Sequence, residues 1–153
     1  MMSQRVFTCV QDLKAAVGEQ FGPTDWVEIS QQTVDRFADV TGDHQWIHVD
    51  PERAAASSLG GTIVHGHLTL SMLPGFASRL YAIRTGAARL NYGLNKVRFP
   101  APVRVGTKVR ATATIKSLHD VPAGVRIVFG WTVEAQDTDR PVCTAETITL
   151  VVS

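Results

Sequence analysis

The clearest pattern along the chain lies in its second half, where apolar and polar residues alternate. Over residues 107–118, Val109, Ala111, Ala113 and Ile115 alternate with Lys108, Arg110, Thr112, Thr114 and Lys116. Over residues 125–135, Val125, Ile127, Phe129, Trp131, Val133 and Ala135 share one phase. Successive side chains of a strand point to opposite faces, so this period of two predicts two long, half-buried strands. Pro122 to Gly124 supplies the hairpin between them. Residues 88–99 and 141–152 predict two further strands, both changing phase midway. In the second of these, Cys143 and Ala145 give way to Ile148, Leu150 and Val152, which predicts a β-bulge near Glu146 or Thr147.

The first half follows a helical period instead. Residues 10–17 predict a short amphipathic helix stopped by Gly18, and residues 26–29 a short strand. Ser30 is placed as an N-cap, and Thr33, Val34, Phe37, Ala38 and Val40 form a stripe that ends at Gly42. Asp43 therefore falls in a loop. Asp50 followed by Pro51 starts a second short helix, broken by Gly60 and Gly61. From Gly66 onward, Leu68, Leu70, Met72, Leu73, Phe76, Ala77, Leu80, Tyr81 and Ile83 cover nearly every side of a helix. A helix apolar all round is buried on most sides. Pro74 removes its bond to the Leu70 carbonyl, so a bend is expected there.

One long buried helix followed by about four antiparallel strands predicts an α+β chain, with a curved sheet wrapped around a central helix. This is the hot-dog arrangement, expected here as a single domain over residues 1–153. Such a sheet has open edges, and pairing two copies edge to edge closes them, so a homodimer is expected.

Composition narrows the partners. The chain has 153 residues, 44% hydrophobic and 19% charged, with a formal net charge of +1. A balance this near neutrality argues against nucleic acid or an anionic membrane as the main partner. The longest apolar stretch, 68–81, is interrupted by Thr69, Ser71, Ser78 and Arg79 and is too polar to span a bilayer. The first residues hold no apolar run of signal-peptide length, and the two cysteines, Cys9 and Cys143, give no disulfide framework. A cytoplasmic protein is expected.

Candidate chemistry concentrates in residues 41–70. Asp43 and His48 stand five positions apart across a loop and a short turn, where both can address one water. General acid–base chemistry needs such groups beside the reacting proton, and imidazole titrates nearest neutrality. Capping by Asp43 and packing by His48 is the plainer alternative. Val64-His65-Gly66-His67 leads into the apolar helix. The first amides of a helix have no intrahelical partner and carry the positive end of its dipole. Gly66 would let a ligand approach such an amide closely, and the amide could bind a carbonyl oxygen gaining negative charge. An ordinary glycine turn is the alternative.

His44, His48, His65 and His67 with Asp43 and Asp50 invite a metal reading, but Gln45 follows His44, so HExxH is absent. No metal and no cofactor is expected, and no glycine-rich phosphate loop is present. Trp26, Trp46 and Trp131 could line an acyl pocket, although Trp131 lies on the apolar strand face and so in the packing. Lys96, Arg98 and Arg104 flank the first long strand; they are either solvated charges or contacts for substrate phosphates, with Lys96 and Arg98 the better candidates.

Phe37, Thr41-Gly42-Asp43, His48, Asp50-Pro51 and Val64-His65-Gly66 occur together and in order. This set resembles the MaoC-like (R)-specific enoyl-CoA hydratases, and the fuller string is similar to their nodulation protein N-like branch, which includes 3-hydroxyacyl-thioester dehydratases. The resemblance runs from about Asp25 to about Arg110. It implies a hot-dog homodimer that reversibly hydrates trans-2-enoyl thioesters of coenzyme A or acyl carrier protein to (R)-3-hydroxyacyl thioesters. Asp43 and His48 would be catalytic, and Gly66 would supply the oxyanion amide. The family's usual Asn-Pro between acid and histidine is replaced by Gln45-Trp46, and Pro74 stands about where some members carry serine. Gln45, Trp46 and His65 are thus candidates for positioning water or shaping the pocket. A hot-dog thioesterase and a non-catalytic acyl-thioester-binding subunit are the rival expectations.

Overall fold

The computed structural model describes residues 3–153. In chain order the elements are β1 (Arg5–Phe7), α1 (Val10–Ala15), β2 (Gln20–Phe21), β3 (Val27–Glu28), α2 (Gln31–Thr41), α3 (Trp46–Val49), α4 (Pro51–Ala55), α5 (Gly66–Ser71), α6 (Leu73–Leu80) and β4 (Tyr81–Ile83). The long strands β5 (Ala88–Arg98), β6 (Lys108–Val121), β7 (Gly124–Ala135) and β8 (Cys143–Val152) follow.

The alternation sets the sheet. β6 and β7 pair antiparallel from Val109↔Ala135 to Val121↔Gly124, with Pro122 and Ala123 forming the turn and Lys116 left unpaired at a register shift between Ile115↔Phe129 and Ser117↔Val128. Gly124 at φ 144° closes the hairpin, and a Cβ there would collide with the Val151 carbonyl. β8 joins β7, and β5 joins β8, giving the order β2-β6-β7-β8-β5 with β3 also on β6. Val109, Ala111, Ala113 and Ile115 of β6 are fully buried, and the shared phase of β7 is buried with them. Leu68, Leu73, Phe76 and Leu80 of α5 and α6 belong to the same core cluster. Burying each such Leu or Phe stabilises the fold by about 1.5–3 kcal/mol. A helix against an antiparallel sheet is the expected α+β hot-dog architecture. No helix among the described residues is long and apolar enough to cross a membrane.

Four local expectations need correction. The central helix does not run to Ile83. Its apolar phase continues there, but residues 81–83 form β4, which pairs in parallel with β1 through Arg5↔Tyr81, Val6↔Ala82 and Phe7↔Ile83. Within the helix, the break falls at Met72, two residues before Pro74, and Pro74 opens the first turn of α6, where its missing N–H is tolerated. Val40, assigned to the apolar stripe of α2, is 86% exposed, while Val34 and Ala38 carry the buried side. The bulge is also on a different strand. β7–β8 pairing runs unbroken from Gly124↔Val152 to Val133↔Cys143. The shifts lie between β5 and β8, from Asn91↔Thr149 to Gly93↔Ile148 and from Leu94↔Thr147 to Val97↔Ala145. Each advances β5 by one residue more than β8, so β5 carries the extra residues. The phase change in β8 has another cause. Thr147 and Thr149 keep the phase of Cys143 and Ala145 but border a cavity, and Trp131 Nε1 donates to Thr147 Oγ1 at 3.0 Å.

Candidate active site

Capping places the two residues singled out by spacing. Ser30 accepts from the Thr33 amide to start α2, and Gly42 ends it in the left-handed conformation at φ 78°. The chain leaves the helix at Asp43, whose side chain is 53% exposed. Asp50 accepts from the Arg53 amide to start α4. Between these caps lies α3, one turn that carries His48 inward to 7% exposure.

Carbonyl oxygens fix one donating nitrogen on each imidazole. His48 Nδ1 lies 2.7 Å from the Ile63 carbonyl oxygen. A carbonyl only accepts, so Nδ1 carries the proton and neutral His48 has a bare Nε2. His65 is 3% exposed. Its Nε2 lies 3.0 Å from the Asp43 carbonyl oxygen and 3.9 Å from Asp43 Oδ2, so Nε2 carries the proton there. The two rings stack with centroids 3.8 Å apart and planes inclined by 23°. Phe37 meets His65 edge-on at 5.0 Å. The two rings thus sit face to face, His48 donating from Nδ1 and His65 from Nε2. His65 Nδ1 is the one buried side-chain polar atom without a partner among the described residues. An unmet buried acceptor costs about 1–3 kcal/mol, and such atoms gather at working sites.

Asp43, His48 and His65 each place a possible ligand atom within 4.8 Å of the others. The stacking suits a proton-handling site better than a metal centre. The lone pairs of stacked rings run side by side in nearly parallel planes, whereas metal ligands converge on one point.

Gly66 opens α5 beside this cluster, and neither its amide nor that of His67 has an acceptor among the described residues. Glycine is required there for a reason the sequence does not display. A Cβ on Gly66 would stand 2.8 Å from Phe99 Cδ2. One helical turn on, at Leu70, begins a cavity of about 750 Å³ between helix and sheet. Pro74, Ala77, Tyr81, Trp131 and Thr147 also line it. Its size is that of small-molecule sites. Burial raises the Tyr81 hydroxyl well above its ordinary range, so it remains protonated.

The other sequence candidates scatter. Gln45 is exposed; its amide approaches Asp43 Oδ1 at 3.4 Å and its carbonyl accepts from the His48 amide at 3.0 Å. Trp46 is covered by the Arg53 guanidinium at 4.4 Å, and Trp26 by Arg110 at 4.5 Å. His44 faces outward and pairs with Asp39 at 2.9 Å. That hydrogen bond raises its pKa. His67 is exposed and lies 6.1 Å from the Phe99 ring. Lys96 and Arg98 sit on the edge strand β5, where Lys96 borders a groove shared with Glu134 and Glu146. Arg104 bonds the Leu59 carbonyl at 2.5 Å. Gln31 and Thr62, which no motif distinguishes, bond around His48 from positions remote in sequence. No periodic or spacing signal could have found them.

Known proteins resemble this chain in sequence and in fold. The family profile described as MaoC like domain matches residues 12–134. The 3-hydroxyacyl-thioester dehydratase Z of Mycobacterium tuberculosis is 52% identical over 145 residues, covering 94% of this chain and 96% of that protein. Nodulation protein N of Rhizobium leguminosarum bv. viciae is 42% identical over 143 residues, covering 92% and 89%. The solved (R)-hydratase from A. caviae involved in PHA biosynthesis superimposes with a TM-score of 0.72 at 23% identity, covering 88% of this chain and 96% of that one. The chain belongs to the MaoC-like dehydratase family and is a hydro-lyase on the hot-dog fold.

Proposed function

We propose that the protein catalyses the reversible hydration of trans-2-enoyl thioesters to (R)-3-hydroxyacyl thioesters, with coenzyme A or acyl carrier protein as the thiol. One observation carries the reading: a buried histidine whose Nδ1 is engaged by a carbonyl, leaving Nε2 for the reaction, lies beside an exposed carboxylate and near the unpartnered amides that open α5. Similarity to a named 3-hydroxyacyl-thioester dehydratase along nearly the whole chain supports it.

In this mechanism the Gly66 amide donates to the thioester carbonyl and draws electron density from the double bond. Asp43 and His48 hold one water between them and take its proton as its oxygen bonds to C3. The same pair returns a proton to C2, so hydroxyl and hydrogen add to one face. Dehydration is the reverse. Oxyanion donors of this kind contribute about 10²–10³-fold and positioned acid–base groups about 10²–10⁴-fold. The acyl chain occupies the cavity that begins at Leu70. Water positioning by Gln45, pocket shaping by Trp46, and phosphate contacts by Lys96 and Arg98 are the remaining parts of the reading.

A homodimer and a cytoplasmic location belong to the same proposal. Leu90, Tyr92 and Leu94 are half-exposed on the edge strand β5, which an antiparallel second copy would cover. Two free cysteines suit a reducing compartment. Sedimentation should give a dimer for the native chain and a monomer for Tyr92→Asp; equal masses would remove the β5 interface.

The activity is tested by following loss of enoyl-thioester absorbance with crotonyl-CoA and longer enoyl-CoA substrates, with chiral analysis of the product. The (R)-3-hydroxyacyl thioester without free thiol is expected. Release of thiol would favour a thioesterase and contradict the proposal.

A further inference from the structure

We infer that Gln31, with Thr62, is a positioning residue for His48, setting the imidazole that the proposed reaction uses as its base. The inference rests on the assignment of His48 to catalysis. Three contacts carry it. Gln31 Nε2 donates to the His48 carbonyl oxygen at 2.7 Å and to Asp35 Oδ1 at 2.9 Å. Gln31 Oε1 accepts from Thr62 Oγ1 at 2.6 Å. The orientation of the amide is forced, because a peptide carbonyl and a carboxylate both accept only, so nitrogen must face them. Every hydrogen-bonding group of the Gln31 side chain is thereby used.

Thr62 directly precedes the residue that orients the histidine. Ile63 accepts from His48 Nδ1 at 2.7 Å through its carbonyl and donates to the Ile47 carbonyl at 2.9 Å through its amide. Residues 62–63 are anchored in turn, with Thr62 only 6% exposed and its carbonyl accepting from the Val105 amide at 2.9 Å. The Gln31 amide therefore bridges the backbone of His48 and the segment that bonds its ring. Without it, the Ile63 bonds are the remaining hydrogen bonds between α3 and residues 62–63 among the described residues. A catalytic base displaced by about 1 Å can lose 10²-fold in rate.

The titratable groups around His48 are Asp43 in the preceding loop, His65 stacked on it, Asp35 across Gln31, and Asp50 at the end of α3. Thr62→Val leaves all four in place and removes one hydroxyl at constant shape. Gln31→Glu keeps the shape too, but turns a carboxylate oxygen toward the His48 carbonyl.

Steady-state hydration of crotonyl-CoA from pH 5 to 9, with melting temperatures of each variant, tests the inference. Thr62→Val should lower kcat about tenfold and Gln31→Glu about 10²-fold, with KM within about twofold of native. The acid limb of kcat should shift in Thr62→Val, which loosens the support of the Nδ1–H···O bond without adding charge, whereas Gln31→Glu adds a negative charge near His48 and is read by kcat and KM alone. Thr62→Ser, which keeps the hydroxyl, should restore native kcat and limb. Should Gln31→Glu fail to fold, the two Thr62 variants decide. Native kcat and pH profile in Thr62→Val, or a Thr62→Ser variant as impaired as Thr62→Val, would overturn the inference while His48→Gln remains inactive. Near-native turnover in His48→Gln would overturn the catalytic assignment and this inference with it.

Discussion

Ile115 in the β6–β7 hairpin and His48 in α3 are both nearly inaccessible to solvent, at 0% and 7% exposure, yet different forces hold them. Ile115 is one of a file of apolar side chains whose inward phase repeats along two paired strands. Its stabilisation is non-directional and shared with every neighbour. His48 is held by a carbonyl at 2.7 Å on its ring and an amide at 2.7 Å on its backbone. Those contacts depend on single atoms and angles. Damage to the hairpin should therefore appear as lost stability, and damage within residues 41–66 as lost turnover.

The largest expected effect comes from breaking the hairpin side. Ile115→Ala should destabilise the fold by about 2–5 kcal/mol, because it deletes buried methyl groups and leaves a cavity. At roughly 2–4 °C per kcal/mol for a chain of this size, the melting temperature should fall by about 4–20 °C. Turnover per folded molecule should stay near native. A matching fall in turnover would break the comparison.

Gly66→Ala sharpens it from the other side. The added Cβ would stand 2.8 Å from the Phe99 ring, so either the ring or the start of α5 must move. Turnover should fall about 10²-fold, by displacement of the helix-opening amides. Adding Phe99→Ala should recover much of that loss. If the double variant is no faster than Gly66→Ala alone, crowding by Phe99 is not the cause.

The smallest effect is expected at His44. Its hydrogen bond to exposed Asp39 raises its pKa, so any stability it contributes is present below the ordinary imidazole range and lost as pH rises through the raised value. Thermal melts of His44→Gln should differ from native at pH 5.5 and coincide at pH 8.5. A difference that grows with pH would reverse the assignment.

Much of the architecture was legible in the chain itself. Alternation from Val109 to Ala135 identified the hairpin, and Ser30, Gly42, Asp50 and Pro51 marked helix ends that the structure places at those residues. These signals are local: the residue that causes the structure lies within a few positions of it. Three features have remote causes. Residues 81–83 continue a helical pattern but become a strand because β1 lies beside them. The phase change of β8 arises from a cavity between helix and sheet, and the extra residues of the irregular pairing lie on β5. The need for glycine at position 66 comes from Phe99, thirty-three positions on. The site divides in the same way. Spacing marked out Asp43 and His48, and the structure brings both beside His65. The stacking of His65 and the bridge through Gln31 and Thr62 join side chains 17 to 31 positions apart and leave no periodic trace.

Asp43 and His48 are proposed to act together on one water. This is tested most directly by the turnover of crotonyl-CoA hydration in Asp43→Asn and His48→Gln, each first shown to melt like the native chain. Both substitutions preserve size and remove the proton-handling function. Each should lower kcat by about 10²-fold or more, and the double variant should be little worse than either single one, because the residues work as a unit. Near-native kcat in either folded variant would contradict the proposal.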